Sequence, residues 1–317
     1  MPHGCWHRSG SSSLPRVQTR AQGFARLRLK RARVPGPASP FRVLDPPSAL
    51  DHLEKRAADL RRTLILAAFG LLAFGGGAGA PASSTIMHGP PAHVVGRVGN
   101  GVVKSTNWSG YAAYASGTTF SDVKGSWVEP AVTCPSRQKQ YSSFWVGLDG
   151  YNSSSVEQTG TSSDCTGKNR PSYYAWYEMY PAAPVNLSLA IHPGDSMSAE
   201  VAASGSAFTL TITDNTTGQS FSTAQTLSSA PRTSAEWVAE APSSCNVFFC
   251  SVLPLANFGS VNFSGSYATG NGHTGTIGDA AWSNDQIVMV TSSSQVKAQP
   301  SALSPDGMSF SDTWQHN

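Results

Sequence analysis

Charge is scarce in this chain: only 13% of its 317 residues are Asp, Glu, Lys or Arg, and the few there are do not spread evenly. Residues 1–82 carry 13 Lys/Arg against 4 Asp/Glu, whereas residues 83–317 carry 9 against 15, a net of −6. A charge-poor, mildly acidic stretch lacks the clustered Lys/Arg that a phosphate backbone requires, which excludes nucleic acid as a partner. Long apolar runs are missing too. The run at 64–74 has 11 residues, short of the roughly 20 that span a bilayer, which argues against a stable membrane anchor. Cysteine is sparse: once Cys5 is set aside with the basic segment, Cys134, Cys165, Cys245 and Cys250 remain. None forms C-x-x-C and no His lies beside them, so neither a zinc site nor any other metal site or cofactor is expected. G-x-S-x-G, H-E-x-x-H and the Asp-Thr-Gly or Asp-Ser-Gly of aspartic peptidases are all absent. His192, His273 and His316, the histidines past residue 105, stand beside no nucleophile.

What is present begins with an address. Arg61 and Arg62 precede the apolar run, and small residues follow it through Ala80 and Ala82, the form of a secretory signal over 61–82. A signal begins close to its basic end, so residues 1–60 read as a disordered extension or as a translation start placed too early. Export to an extracellular, oxidising medium suits an even number of cysteines and two disulfides. Of three possible pairings, Cys134–Cys165 and Cys245–Cys250 close short loops and are preferred.

Residues 83–105 are rich in Pro, Gly and Val, without aromatics, and read as a leader or short propeptide ahead of a domain at 106–317. From there short β-branched and aromatic runs alternate with Gly, Pro, Asn and Ser clusters, the pattern of many short antiparallel strands. Alternation is clear at 208–213 and 286–291, and Asp214-Asn215-Thr216-Thr217-Gly218 predicts a turn that makes 208–221 a hairpin. The Gly-rich stretch 269–278 reads as a flexible loop carrying His273. A helical period occurs only at 51–62. The fold class is all-β, a sandwich or barrel.

Carboxylates and amides in aromatic surroundings supply the remaining chemistry: Asp149, Gln158, Glu178, Glu236 and Glu240. They stand in six ordered blocks. These are Asn107-Trp108-Ser109-Gly110-Tyr111, Phe144-Trp145-Val146-Gly147-Leu148-Asp149-Gly150, Val156-Glu157-Gln158-Thr159-Gly160, Ala175-Trp176-Tyr177-Glu178-Met179-Tyr180-Pro181, Ala235-Glu236-Trp237-Val238-Ala239-Glu240 and Ala256-Asn257-Phe258-Gly259-Ser260-Val261. In order and spacing the blocks resemble the glutamic peptidases, or eqolisins. The resemblance implies a concanavalin-like β-sandwich of two antiparallel sheets and a secreted, monomeric acid endopeptidase, insensitive to pepstatin, acting on proteins or peptides. It also implies that Gln158 and Glu240 react, that Trp176 and Glu178 line the cleft, and that Asp149 orients Gln158. Strand alternation puts Glu236 and Glu240 on one face and does not choose between them; the family's spacing favours Glu240, with Glu236 beside it.

One carboxyl and one amide suffice for peptide hydrolysis. Glu240, ionised, would take a proton from water and later return it to the leaving nitrogen, while Gln158 would donate to the oxyanion. Because an ordinary Glu titrates near 4.3, such a base implies acidic operation. Two alternatives use the same residues: a noncatalytic lectin-like carbohydrate-binding β-sandwich, and a glycoside hydrolase pairing Glu178 with Glu240.

Overall fold

The computed structural model describes residues 84–90, 97–98, 101–135, 137–246 and 248–317. The extension at 1–60, the helical period at 51–62 and the export signal at 61–82 lie outside the described residues. Among the described residues no helix forms, and none is long and apolar enough to cross a membrane.

In chain order the strands are β1 (Thr85–Met87), β2 (Arg97–Val98), β3 (Val102–Ser105), β4 (Trp108–Tyr114) and β5 (Phe120–Val128). Next come β6 (Ser143–Leu148), β7 (Val156–Cys165), β8 (Pro171–Tyr180), β9 (Val185–Asn186) and β10 (Ser196–Ser204). Then follow β11 (Ala207–Asp214), β12 (Gln219–Thr226), β13 (Ser234–Glu240), β14 (Ser243–Cys245) and β15 (Cys250–Val252). The last are β16 (Ser260–Gly270), β17 (His273–Thr276), β18 (Ser283–Val290), β19 (Val296–Pro300) and β20 (Phe310–Trp314).

One sheet runs β9, β8, β7, β6, β13, β4, β18, with β3 parallel to the end of β18 and β2 hooked onto β3. The other runs β12, β11, β10, β5, β16, β20. Strand β19 pairs with both β18 and β20 and joins the sheets along one edge. Between the two lies the main core, where Phe144, Val146 and Trp237 of the first sheet meet Val123, Val201 and Leu210 of the second. This is the all-β, two-sheet sandwich expected from the sequence. Strands β2 and β3 pair with it although they lie upstream of residue 106, and Val103 is buried.

Local chemistry explains most elements. In β11, alternation buries Phe208, Leu210 and Ile212 while Thr209 faces out. The turn after it is held by Asp214, whose carboxylate accepts from the Thr216 N–H at 2.9 Å and the Thr217 hydroxyl at 2.6 Å, and β12 returns as expected. Alternation at 286–291 fails: Ile287, Val288, Met289 and Val290 are all buried, with Met289 in the main core, Ile287 in a second apolar cluster, and β3 and β19 paired along that end of β18. The stretch at 269–278 is no loop. It forms the end of β16, a turn and β17, with His273 Nε2 3.1 Å from Asp279. Both preferred disulfides are present, Cys134–Cys165 and Cys245–Cys250; the second closes the β14–β15 hairpin.

Strands β6, β7 and β13 are buried at every position, so their polar residues are buried with them. Gly160 of β7 has no room for a side chain: a Cβ there would stand 2.2 Å from the Phe144 carbonyl oxygen. Gly160→Ala must push β6 and β7 apart and is expected to cost more than about 2 kcal/mol, measured by denaturant unfolding.

Away from the blocks, Glu129 lies buried between the Ser163 hydroxyl, the Thr161 hydroxyl and the Trp127 indole. Burial outweighs these donors and lifts it from 4.5 to about 7, and burial lifts Asp164 to about 7 and Asp312 to about 8. A carboxyl with a raised folded value binds its proton more tightly folded than unfolded. Its stabilising contribution is therefore full below the unfolded value near 4 and is lost as pH rises through 7 to 8. The melting temperature is expected to fall by at least about 10 °C between pH 4 and pH 8, read by calorimetry.

Candidate active site

Strand register decides which side chains meet. On the first sheet Gly147 stands between Gln158 of β7 and Glu236 of β13, and Ser143 stands between Ser162 and Glu240. Glu178 of β8 pairs opposite Gln158, and Trp176 opposite Gly160, which in turn faces Trp145. Paired residues project from the same face. All of these therefore rise from the side of the sheet turned away from the main core, where Trp108, Trp145, Trp176 and Val238 form a second apolar cluster.

Residues 84–90 lie along this face. Strand β1 pairs antiparallel with β14, with Met87 opposite Ser243, and the chain then enters the site at His88. The His88 imidazole stacks on Trp176, ring centroids 3.7 Å apart and planes within 3°. Its Nδ1 lies 3.0 Å from Glu178 Oε2, which also accepts the His88 backbone N–H at 2.9 Å, and its Nε2 lies 3.1 Å from the Ser143 hydroxyl. The His88 carbonyl accepts the Gln158 amide N–H. One residue on, the Gly89 carbonyl accepts from the Trp108 indole at 3.0 Å, and the Pro90 carbonyl accepts from the Asn107 amide at 3.4 Å. An extended peptide is thus gripped at three successive carbonyls.

Glu240 sits beside the downstream end of that peptide. Its Oε1 accepts from the same Asn107 amide at 3.4 Å and its Oε2 from the Trp145 indole at 2.9 Å. Burial and the nearby Glu178 carboxyl raise it well above the ordinary carboxylate value, against the opposing pull of Trp145, Asn107 and Trp108. Glu178 is raised by burial and drawn back by His88.

Glu236 shares the face of Glu240 but not its surroundings. It lies four residues along β13, raised well above its ordinary value by burial, and among the described residues neither of its carboxyl oxygens takes a hydrogen bond from 84–90. Near it stand Asp149 and Glu157; burial and then Asp149 push Glu157 up to about 9. Asp149 takes left-handed backbone geometry (φ 70°), and its carboxylate accepts the Arg232 N–H at 2.6 Å and the Thr233 N–H at 2.8 Å. It anchors the approach to β13, and its hydrogen bonds among the described residues do not include Gln158. Register sets Glu236, not Glu240, level with Gln158 across Gly147; His88 bonds to Gln158 and Glu178 and stacks on Trp176, and Glu240 meets the peptide through Asn107, while among the described residues no hydrogen bond joins Asp149 or Glu236 to 84–90. Cys134, Cys165, Cys245 and Cys250 are in disulfides outside this cluster, and no group of His, Cys, Asp and Glu among the described residues could hold a metal ion.

Sequence reasoning assigned no part to Asn107, Trp108, Ser143, Trp145 or His88. Three of them, Asn107, Trp108 and Trp145, stand inside the six blocks, where an indole or amide donor beside a carboxylate was the available signal. His88 carried none, being a lone histidine in a stretch read as a leader.

Comparison with known proteins shows the family. The model of the Peptidase A4 family matches residues 106–311. The chain is 32% identical over 200 residues to aspergillopepsin-2 of Aspergillus niger, covering 56% of this chain and 68% of that protein. It is 33% identical over 187 residues to scytalidopepsin B of Scytalidium lignicola, covering 55% and 68%. Among solved structures, scytalido-glutamic peptidase with a transition state analog inhibitor superposes with a TM-score of 0.58 at 27% identity, covering 66% of this chain and 98% of that one. The carbohydrate-binding alternative is not favoured by any of these relatives. The chain belongs to the Peptidase A4 family of glutamic endopeptidases.

Proposed function

We propose that the chain is a secreted acid endopeptidase in which Glu240 activates water and Gln158 steadies the oxyanion. The observation that supports this most is the peptide in the site. A carbonyl, that of His88, already accepts from the Gln158 amide, and the next two residues are held beside Glu240 by Trp108 and Asn107. A substrate in the same position would present its scissile carbonyl to Gln158 and its leaving nitrogen to the Glu240 side. One solved peptidase of the eqolisin family, 26% identical to this chain, is described in a complex with the tripeptide Ala-Ile-His, which fits a peptide as the ligand here.

Water attacks the carbonyl carbon as Glu240 takes its proton. Charge then gathers on the carbonyl oxygen, where the Gln158 N–H is preorganised to meet it, a contribution of about 3 to 4 kcal/mol for donors of this kind. Collapse breaks the C–N bond as Glu240 returns the proton to the departing nitrogen. Gln158 does not titrate, so the donor persists in acid. Glu240 must be ionised to begin, and with residues 84–90 gone the burial that raises it is relieved, bringing it back toward the ordinary range. Trp176 and Glu178 would hold the substrate residue upstream of the cleaved bond, as they hold His88. Asp149 would act on Gln158 only through the packing around Glu157 and Glu236.

We further read 61–82 as an export signal and 83–105 as a leader, whose first part fills the cleft and whose last part pairs with the sheet. Extracellular localisation and a monomeric enzyme are part of the same proposal. Two disulfides are the chemistry of an oxidising compartment.

Hydrolysis of a denatured protein by the secreted, processed form tests the reading. The rate is expected to peak below pH 5 and to be unaffected by pepstatin; a peak at neutral pH would count against Glu240 as base. Gln158→Ala should lower kcat by roughly 100- to 1,000-fold and Glu240→Gln by at least about 1,000-fold, both with unchanged circular dichroism. Wild-type-like turnover in either variant would remove that residue from the chemistry.

A further inference from the structure

Strand β19, which joins the two sheets, carries a cation on its buried side. Lys297 is 7% exposed, and among the described residues its amine donates to no acceptor. We infer that Lys297 anchors a binding site for a carboxylate carried on an aliphatic body, separate from the cleft of the first sheet.

Strand register turns this side chain inward. Met289 of β18 pairs with Ala298 and Val290 with Val296, so Lys297 is the extra residue of a β-bulge and has no partner on β18. Alternation would bury either Lys297 or Ala298; the bulge buries both. Bulges re-aim side chains, and this one re-aims a lysine, whose charge is costly to withdraw from water unless it is paired. Burial draws Lys297 from 10.5 down to about 8, with no carboxylate contributing, so in acid the amine stays charged where it lies.

The cavity beside it indicates what would pair with that charge. Lys297 lines an open cavity of about 680 Å³, a size ordinary for small-molecule sites. Val252, Leu253 and Val290 give it aliphatic walls, Thr291 adds a hydroxyl, and the exposed Lys139 adds a second cation. No aspartate, glutamate or aromatic side chain lines it. The charge of the lining side chains is therefore positive throughout, which selects an anion. A single buried ammonium is a compact point charge that one carboxylate matches. Aliphatic walls favour an alkyl chain over a flat ring that would stack on aromatic side chains. None of Gln158, Trp176, Glu178 and Glu240 lines the cavity, so the site stands apart from the proposed chemistry. The ligand has two possible sources, a free aliphatic acid and the terminal carboxyl of a peptide ending in an aliphatic residue.

Titration calorimetry of the full chain at about pH 6 tests the site, with hexanoate for the free acid and N-acetyl-leucine for the peptide end. Both probes are ionised there and Lys297 is charged. Saturable binding of one probe per chain is expected. Hexanoate alone identifies a free acid, N-acetyl-leucine alone a peptide end, and binding of both a site that reads only the shared carboxylate and alkyl chain. The uncharged amides of the two probes should bind at least tenfold more weakly. Acetate, which lacks the alkyl body, should bind at least tenfold more weakly than hexanoate. Lys297→Met should weaken binding at least tenfold without lowering the melting temperature, since it removes an unpaired buried charge. In the wild-type chain, which depends on no variant folding, bound probe should slow acetylation of Lys297 by acetic anhydride at about pH 8, read by peptide mass, while the exposed Lys168 reacts unchanged. The inference is overturned if neither probe binds, if the amides bind as tightly as the acids, if acetate matches hexanoate, if Lys297→Met keeps wild-type affinity, or if bound probe leaves Lys297 acetylation unchanged.

Discussion

The structure depends on neutral donors meeting buried carboxyls. The first sheet is covered on both faces, so Glu240, Glu178 and Glu129 cannot reach bulk water, and the chain has few cations to offer them. Indoles, amides and hydroxyls do that work: Trp145 and Asn107 on Glu240, Trp127, Thr161 and Ser163 on Glu129. The ion pairs of Glu178, Asp195 and Asp279 use histidine. The indole, amide and hydroxyl part of this network keeps its form when carboxyls gain protons, because those donors carry no charge that acid would leave unbalanced.

The same economy shapes the site. Buried without cations, the carboxyls rise in affinity for protons, and the sheet tolerates them in acid and strains against them as pH climbs. An enzyme built this way gains an acid-stable cleft at the expense of neutral stability. Residues 84–90 tighten the arrangement further, since Pro90 shares the Asn107 amide with Glu240 and His88 lies against Glu178.

Much of this was legible along the chain. The β11–β12 hairpin followed from alternating Phe208, Leu210 and Ile212 and from the turn chemistry of Asp214 and Gly218. Both disulfides followed from short loop closure. Where alternation misled, at 286–291, the cause was packing: Met289 enters the main core and Ile287 a second apolar cluster, so that strand end is buried whatever its sequence pattern. The Gly-rich stretch at 269–278 misled for the opposite reason, since β16 and the turn at Asn271 and Gly272, both with positive φ, make use of residues that in isolation suggest only flexibility.

By itself the sequence determined the all-β class, the family and the residue types of the site, because six ordered blocks and period-two patterning are properties of the chain alone. Only the tertiary structure separated the surroundings of Glu236 from those of Glu240. They share a face, and what separates them is distance along β13, which has meaning only once β4, β6 and a bound peptide lie beside it. It also decided the place of His88. No local signal marks that residue, because its surroundings come from β6, β7 and β8, distant in sequence and brought together by strand register.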